Sequence, residues 1–384
     1  MRIVISGYMV RFPLAGMAFA YFHYVLGLKR LGHEVAYLEE SGWPNSCYNP
    51  RTQETGDDPR AGLEFTRSLM ASHDVRIPIW YVNRDSGKLE GGDWDEVKRY
   101  LAGTDLLLNL GGISWLPEFS LCRCRALVDM DPFFTQVGRF GAAPLDEHDL
   151  HFTYGGNIGR PGCGVPTGDV EWLPMVPPVV PDVWESPPPA PDAAFTTVAN
   201  WSAYGAVTYQ GKRYGQKDEE FLRLVDLPGR TSQRLELALS GAGPDVLARL
   251  RAAGWSVRDG GEVSTDPQVY ASYLTGSRGE FSVAKQGYVV TRSGWFSDRS
   301  VCYLAAGRPV VLQHTGFRDW LPADDGGGVF AFSSLDEAAQ CLEQARADYP
   351  AHCRAARETA ERVFSYRVVL PRLLSAVAGE RVRP

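Results

Sequence analysis

At 384 residues, 44% of them hydrophobic, the chain exceeds what one core normally serves and can bury two. A formal charge of −7 argues against the basic stripe of a nucleic-acid binder, so no nucleic-acid partner is expected. No apolar run is long enough to span a membrane, and the seven scattered Cys form neither a disulfide framework nor a zinc spacing, so reduced thiols in a cytoplasmic protein are expected.

In chain order, short apolar runs at Arg2–Ser6, Glu34–Leu38, Ile77–Tyr81, Asp105–Asn109 and Arg125–Asp129 read as strands. Ala18–Leu31, between the first two, has helical periodicity, and such alternation predicts a doubly wound parallel sheet. Residues 155–192 then turn rich in Gly and Pro, and Glu185-Ser186-Pro187-Pro188-Pro189 reads as a stiff, helix-free connector. The pattern restarts with a strand at Phe195–Ala199, a helix at Gln216–Val225 and a strand at Arg234–Leu239. Trp255–Arg258, Phe281–Ala284 and Pro309–Leu312 continue the sheet, before amphipathic helices at Leu335–Arg346 and Ala351–Val363 and an apolar stretch at Val368–Val377. The fold class is therefore α/β, with two Rossmann-like domains. Residues 1–184 form the first, 185–192 a hinge-like linker, 193–365 the second, and 366–384 a terminal segment.

Residues 277–317 carry the densest chemistry. Ser297 and Asp298 have the character of a helix N-cap, Val301–Ala306 is a small-residue helix closed by Gly307, and Pro309–Leu312 is a buried strand. A helix N-terminus beside the carboxyl ends of parallel strands offers unpaired N–H groups to an anion. This arrangement points to a nucleotide-diphosphate pocket.

The Gly307-Arg308-Pro309-Val310-Val311 turn resembles the C-terminal half of GT-B glycosyltransferases, nearest to the family 4 type. The opening strand, its loop with Pro13, Ala15 and Gly16, and the helix ending Leu31-Gly32-His33-Glu34-Val35 are similar to that family's start. The resemblance spans most of the chain. It implies GT-B architecture with a cleft between the domains, a last helix that crosses back to the first domain, and an acceptor-side N-terminal domain. It also implies a transferase that moves a sugar from a nucleotide-diphosphate donor to a small-molecule acceptor, natural products included, or to a glycan, with retention and without a metal or other cofactor. A sugar-nucleotide epimerase or hydrolase of the same fold, or a noncatalytic sugar-nucleotide binder, are the alternatives. Where the family usually carries paired Glu residues, this chain has Gly294 and Cys302. Asp298 is then a candidate for part of their ribose contact, or an ordinary N-cap.

Arg213 and Lys217 are implied by the resemblance to hold the diphosphate, with Lys212 fitting the usual spacing slightly better; a solvated helix start is the alternative. Glu280 is a candidate for donor hydroxyls and Lys285 for phosphate, or the two form an ion pair. Ser300, Thr315 and Gly316 are candidate phosphate contacts, or plain turn chemistry. Glu262 and Val263 sit where the family seats the base, and Gly16 would bring its backbone to the diphosphate. On the acceptor side, Asp129 and Asp131 end a strand and suit hydroxyl binding or deprotonation. Their Asp-x-Asp spacing is the alternative metal reading. Asn109, Gly112, Trp115 and Gln136 are further acceptor candidates.

Overall fold

Ile3, Val4 and Ile5 are all fully buried, as a strand covered on both faces requires. They belong to β1 (Arg2–Ser6), an interior strand of an eight-stranded sheet in the computed structural model. The residues described are 1–138, 145–322 and 327–380, so the last four positions of the expected 366–384 segment lie outside them. Contacts divide the chain into two units. The first comprises Met1–Tyr154, Thr167–Pro178 and the chain from Tyr366 onward; the second comprises Gly155–Pro166 and Val179–Ser365.

In the first unit, β1 is followed by α1 (Ala15–Arg30), β2 (Glu34–Glu40), a hairpin of β3 (Cys47–Asn49) and β4 (Glu54–Gly56), and α2 (Arg60–Ala71). Then come β5 (Ile79–Val82), β6 (Leu89–Glu90), α3 (Trp94–Ala102), β7 (Leu106–Leu110), β8 (Arg125–Asp129), β9 (Leu150–Thr153) and β10 (Trp172–Pro174). The sheet order is β10-β9-β8-β7-β1-β2-β5-β6, parallel except for the β5–β6 pair. The winding reverses between β1 and β7, where open α/β sheets bind ligands at the strands' carboxyl ends.

The second unit runs β11 (Phe195–Asn200), a hairpin of β12 (Val207–Tyr209) and β13 (Lys212–Tyr214), α4 (Lys217–Leu222), β14 (Leu235–Ser240), α5 (Pro244–Ala252) and β15 (Ser256–Asp259). It continues α6 (Gly260–Ser264), α7 (Pro267–Gly276), β16 (Gly279–Ser282), α8 (Gln286–Thr291), α9 (Asp298–Ala305), β17 (Val310–Gln313), β18 (Val329–Phe332), α10 (Leu335–Ala347) and α11 (Tyr349–Thr359). Its six-stranded sheet, β15-β14-β11-β16-β17-β18, is parallel throughout and closes over Phe195, Leu237, Phe281, Val311 and Phe332. Its switch point lies between β11 and β16.

The final helix, α12 (Tyr366–Glu380), packs on α1 within the first unit. Gly27 permits this approach, since a Cβ there would come within 2.7 Å of Leu370 Cδ1 and 2.8 Å of Tyr366 Cβ.

The Pro-rich stretch 185–192 differs from the expected linker, because it lies inside the second unit. A proline-rich chain leaves its carbonyls without internal partners, and arginines take them. Arg308 donates to the Pro187 carbonyl at 2.6 Å and to Ser186 Oγ at 3.1 Å, while Arg278 donates to the Pro191 carbonyl at 3.0 Å. The chain changes unit instead after Tyr154, Pro166, Pro178 and Ser365.

Candidate donor-binding site

The carboxyl ends of β11, β16 and β17 meet the first turns of α4 and α9 in the second unit. Ser297 caps α9 by accepting from the Arg299 N–H at 3.2 Å, and the Asp298 carboxylate accepts from the same N–H at 2.8 Å. Arg299, absent from the sequence-based candidates, is the pin of this region. Its guanidinium donates to Glu280 Oε1 at 2.7 Å, to the Val198 carbonyl at 2.7 Å and to Ser282 Oγ at 2.7 Å. It thus fastens α9 to β11 and β16. No periodicity marks such an arginine, since it stands in an amphipathic helix beside ordinary polar residues.

Lys217 opens α4 across this arrangement. It is half-buried and makes no hydrogen bond or ion pair among the described residues. Burial, then the charges of Arg299 and Lys285, push its ammonium down to about 7, against the opposing pull of Glu280 and Asp298. Asp298 moves the other way, raised by burial and held back chiefly by Arg299. Lys285 precedes α8 and donates to Tyr204 Oη at 2.7 Å, with its ammonium 4.5 Å from that ring's centre. Several buried polar atoms here have no partner among the described residues: Ser300 Oγ, Glu280 Oε2 and both amide atoms of Gln216. Three cations, unpartnered polar atoms and two helix starts together make a receptor for an anion with hydroxyl-bearing neighbours.

Other expected donor residues fall into three groups. Thr315 is buried and donates to the Trp295 carbonyl at 2.6 Å; it lines a small pocket with Ser282, Ser297, Ser300 and Gln313. Gly316 has φ 97°, and a Cβ on it would meet Asn157 Nδ2 at 2.6 Å. Val263 is fully buried in α6, the short helix that follows β15 and also carries Glu262; Asp259 caps it by accepting from the Gly261 N–H. Arg213 departs from expectation. It lies exposed on β13 and pairs with Glu219, because a β-hairpin replaces the loop anticipated there. Glu280 also departs, since it lies within β16 and is ion-paired to Arg299 rather than to Lys285.

In the first unit, the expected acceptor residues prove to be largely internal. Asp129 is fully buried, and both its oxygens are occupied. Oδ1 accepts from the Asp131 N–H at 2.9 Å and from Thr135 Oγ1 at 2.7 Å; Oδ2 accepts from Gln136 Nε2 and Thr153 Oγ1, each at 2.7 Å. Burial raises its carboxyl above the ordinary range, with these donors pulling it back. Asp129 is therefore turned inward to hold the turn after β8, with Gln136 as one of its donors, while Asp131 and Gln136 are both half-exposed there. Asn109 is buried and donates to the Ser114 carbonyl at 2.8 Å, and Gly112 turns the chain at φ 64°. The Trp115 ring packs 5.6 Å from Phe119 and 5.0 Å from His148. Ala15 and Gly16 are the first residues of α1, so the loop after β1 ends before them.

Among the described residues, no group of three or more His, Cys, Asp and Glu is placed to hold a metal ion, and no helix is long and apolar enough to cross a membrane.

Two Rossmann-like units, each built on a largely parallel sheet, are the architecture of the GT-B fold. Solved structures agree. AviGT4, a glycosyltransferase involved in avilamycin A biosynthesis, matches with TM-score 0.57 at 14% identity over 98% of this chain and 97% of its own. An alpha-glucosyltransferase in complex with UDP and a 13-mer DNA matches with TM-score 0.61 at 11% identity, over 98% and 99%. Anabaena Alr3699/HepE in complex with UDP matches with TM-score 0.55 at 10% identity, over 99% and 100%. No protein-family model and no curated protein matches the chain. The DNA-bound neighbour overturns the expectation of no nucleic-acid partner. Net charge averages over a whole surface, whereas an acceptor meets only one patch of it.

Proposed function

We propose that the chain is a glycosyltransferase, of the family 4 kind, that binds a nucleoside-diphosphate sugar in its second unit. The observation that carries this reading is Lys217, an unpartnered lysine at the head of α4, beside Arg299 and Lys285 at the sheet's switch point. A leaving diphosphate gains charge in the transition state, and a preorganised ammonium without an internal partner answers that gain. Ser300, Thr315 and the Gly316 backbone would contact phosphate, Asp298 the ribose, and the α6 segment at Glu262 and Val263 the base. UDP is the nucleotide of choice because two structural neighbours are described with it. Lys217 and Lys285 answer the charge of the diphosphate, with Arg299 holding their surroundings through its pair with Glu280, so a metal is unnecessary for the diphosphate, and transfer proceeds with retention. The acceptor is a small molecule, such as a natural product, or a glycan. Asp131 is its candidate polar contact in the first unit.

Calorimetry with UDP tests the donor half of this reading. Wild type should bind, and Lys217→Ala should weaken binding at least tenfold without loss of fold. Equal affinity in both proteins would remove Lys217 from the site. Release of UDP from a panel of UDP-sugars only when an acceptor is supplied would support transfer, whereas a donor converted without acceptor would favour an epimerase or hydrolase.

A further inference from the structure

We infer that the loops after β1 and β2, together with Tyr48 of β3, form an aromatic platform for an uncharged, hydroxylated ring, the pyranose of a neutral glycoside acceptor. The inference rests on the transferase reading and narrows its acceptor. Trp43, Tyr8, Phe12 and Tyr48 form a continuous row, with successive ring centres 6.4, 4.9 and 5.8 Å apart. Trp43 is 48% exposed, and the other three rings are half-buried. Exposed rings in such a row present flat apolar faces, which suit the C–H face of a sugar.

The row is held rigidly from beneath. Arg11 is fully buried, its Cζ 4.4 Å from the Tyr8 ring centre and 5.0 Å from that of Trp43. Its guanidinium donates to the Ser41 carbonyl at 3.1 Å and the Ile113 carbonyl at 3.0 Å, and lies 3.5 Å from Glu39. Glu39 in turn accepts from the Val10 N–H at 2.9 Å and the Arg11 N–H at 2.7 Å, which fixes the loop that carries Tyr8 and Phe12.

Two further observations point to a polar ligand beside the platform. Ser6 and Asn109 are register partners at the carboxyl ends of β1 and β7, and both are fully buried. Ser6 Oγ and Asn109 Oδ1 have no hydrogen-bond partner among the described residues, although Asn109 Nδ2 reaches the Ser114 loop that also meets Arg11. A ligand hydroxyl would relieve such atoms. The surrounding cations, moreover, are already neutralised. Arg60 lies 2.6 Å from Asp58, Lys88 2.6 Å from Glu90, and Arg84 3.7 Å from Glu40. Self-paired charges around an aromatic face favour a neutral ligand over an ionised one.

Saturation-transfer NMR and calorimetry with phenyl β-D-glucopyranoside, phenyl β-D-glucuronide, a 12-mer deoxyoligonucleotide and UDP test this. The neutral glucoside should bind wild type better than the glucuronide, and Trp43→Ala should weaken it at least fivefold while UDP affinity stays within twofold. Trp43 is exposed enough for that variant to fold. The proposal is overturned by a Trp43→Ala affinity equal to wild type, by glucuronide or oligonucleotide binding that depends on Trp43 in place of the glucoside, or by no glucoside binding while UDP binds. Glucoside binding that needs Trp43 in a protein that ignores UDP would support the platform and sink the donor reading alone.

Discussion

Asn157 Nδ2 lies 3.0 Å from the Gly316 carbonyl, 3.1 Å from the Arg292 carbonyl and 3.0 Å from Asp319 Oδ2. One side chain thereby ties two left-handed turns together, Arg292 at φ 50° and Gly316 at φ 97°. The loop after β17 supplies the candidate phosphate contacts Thr315 and Gly316, and its spacing from the loop after α8 depends on this amide. Asn157→Leu keeps the volume but strands the Gly316 carbonyl, at a cost of about 1–3 kcal/mol. Thermal denaturation should register the loss, and UDP affinity should fall with it. Gly316→Ala should behave alike, because its Cβ would press on Asn157 Nδ2 at 2.6 Å and on the Arg292 carbonyl at 2.9 Å.

The depressed Lys217 ammonium makes donor affinity depend on pH. Free protein loses this proton near pH 7, whereas a bound diphosphate favours the charged form. Above pH 7, binding must therefore take up a proton, and affinity should fall by up to tenfold per pH unit. Calorimetry in buffers of different ionisation enthalpy should show that uptake at pH 8 and little at pH 6.5. Lys217→Met should abolish it. For the unliganded fold the sign is opposite to a salt-bridged lysine. The unfolded chain holds this proton up to its ordinary value and the folded chain does not, so stability should rise with pH from about 7 and level off beyond that value.

Glu280 and Arg299 are a buried pair whose separation should be costly. Glu280→Leu leaves the guanidinium uncompensated, and a loss of about 3–5 kcal/mol is expected. Replacing both, as Glu280→Leu with Arg299→Met, should recover much of that loss in urea denaturation. A Glu280→Leu protein as stable as wild type would mean that the carboxylate serves the ligand and not the fold.

Much of the strand skeleton was legible in the sequence because buried parallel strands are written as short apolar runs between Gly and Pro. Arg2–Ser6 and Arg125–Asp129 appear at their predicted bounds, and Phe195–Ala199 gains only Asn200. Lys217 could be singled out because so few lysines remain in an arginine-rich chain. Its missing partner could not, since that depends on which neighbours fold around it. Arg213 was misplaced for a comparable reason. Gln210 and Gly211 turn the chain at φ 49° and 75°, which converts an apparent loop into a hairpin and sends Arg213 to the surface. Arg299 and Asn157 were invisible because each acts through contacts with residues distant in sequence. The same holds for the aromatic row, whose members come from two loops and from β3, which periodicity leaves unconnected.

Asp129 and Asp131 share a turn but should respond oppositely to substitution. Asp129→Ala removes the acceptor of four donors, two of them hydroxyls and one a side-chain amide, in a fully buried position. A loss of about 3 kcal/mol or more is expected, with no rescue by Mg²⁺ or Mn²⁺, because both oxygens already face inward. Asp131→Asn keeps the backbone N–H that Asp129 accepts, and its own carboxyl is half-exposed, so the melting temperature and UDP affinity should stay near wild type. Transfer to acceptor should fall if the carboxylate contacts an acceptor hydroxyl. Differential scanning calorimetry beside UDP titration and an acceptor-dependent UDP-release assay would separate the three quantities. Metal-dependent recovery of Asp129→Ala, or an Asp131→Asn protein with full transfer, would reverse the assignment of fold to one aspartate and acceptor to the other.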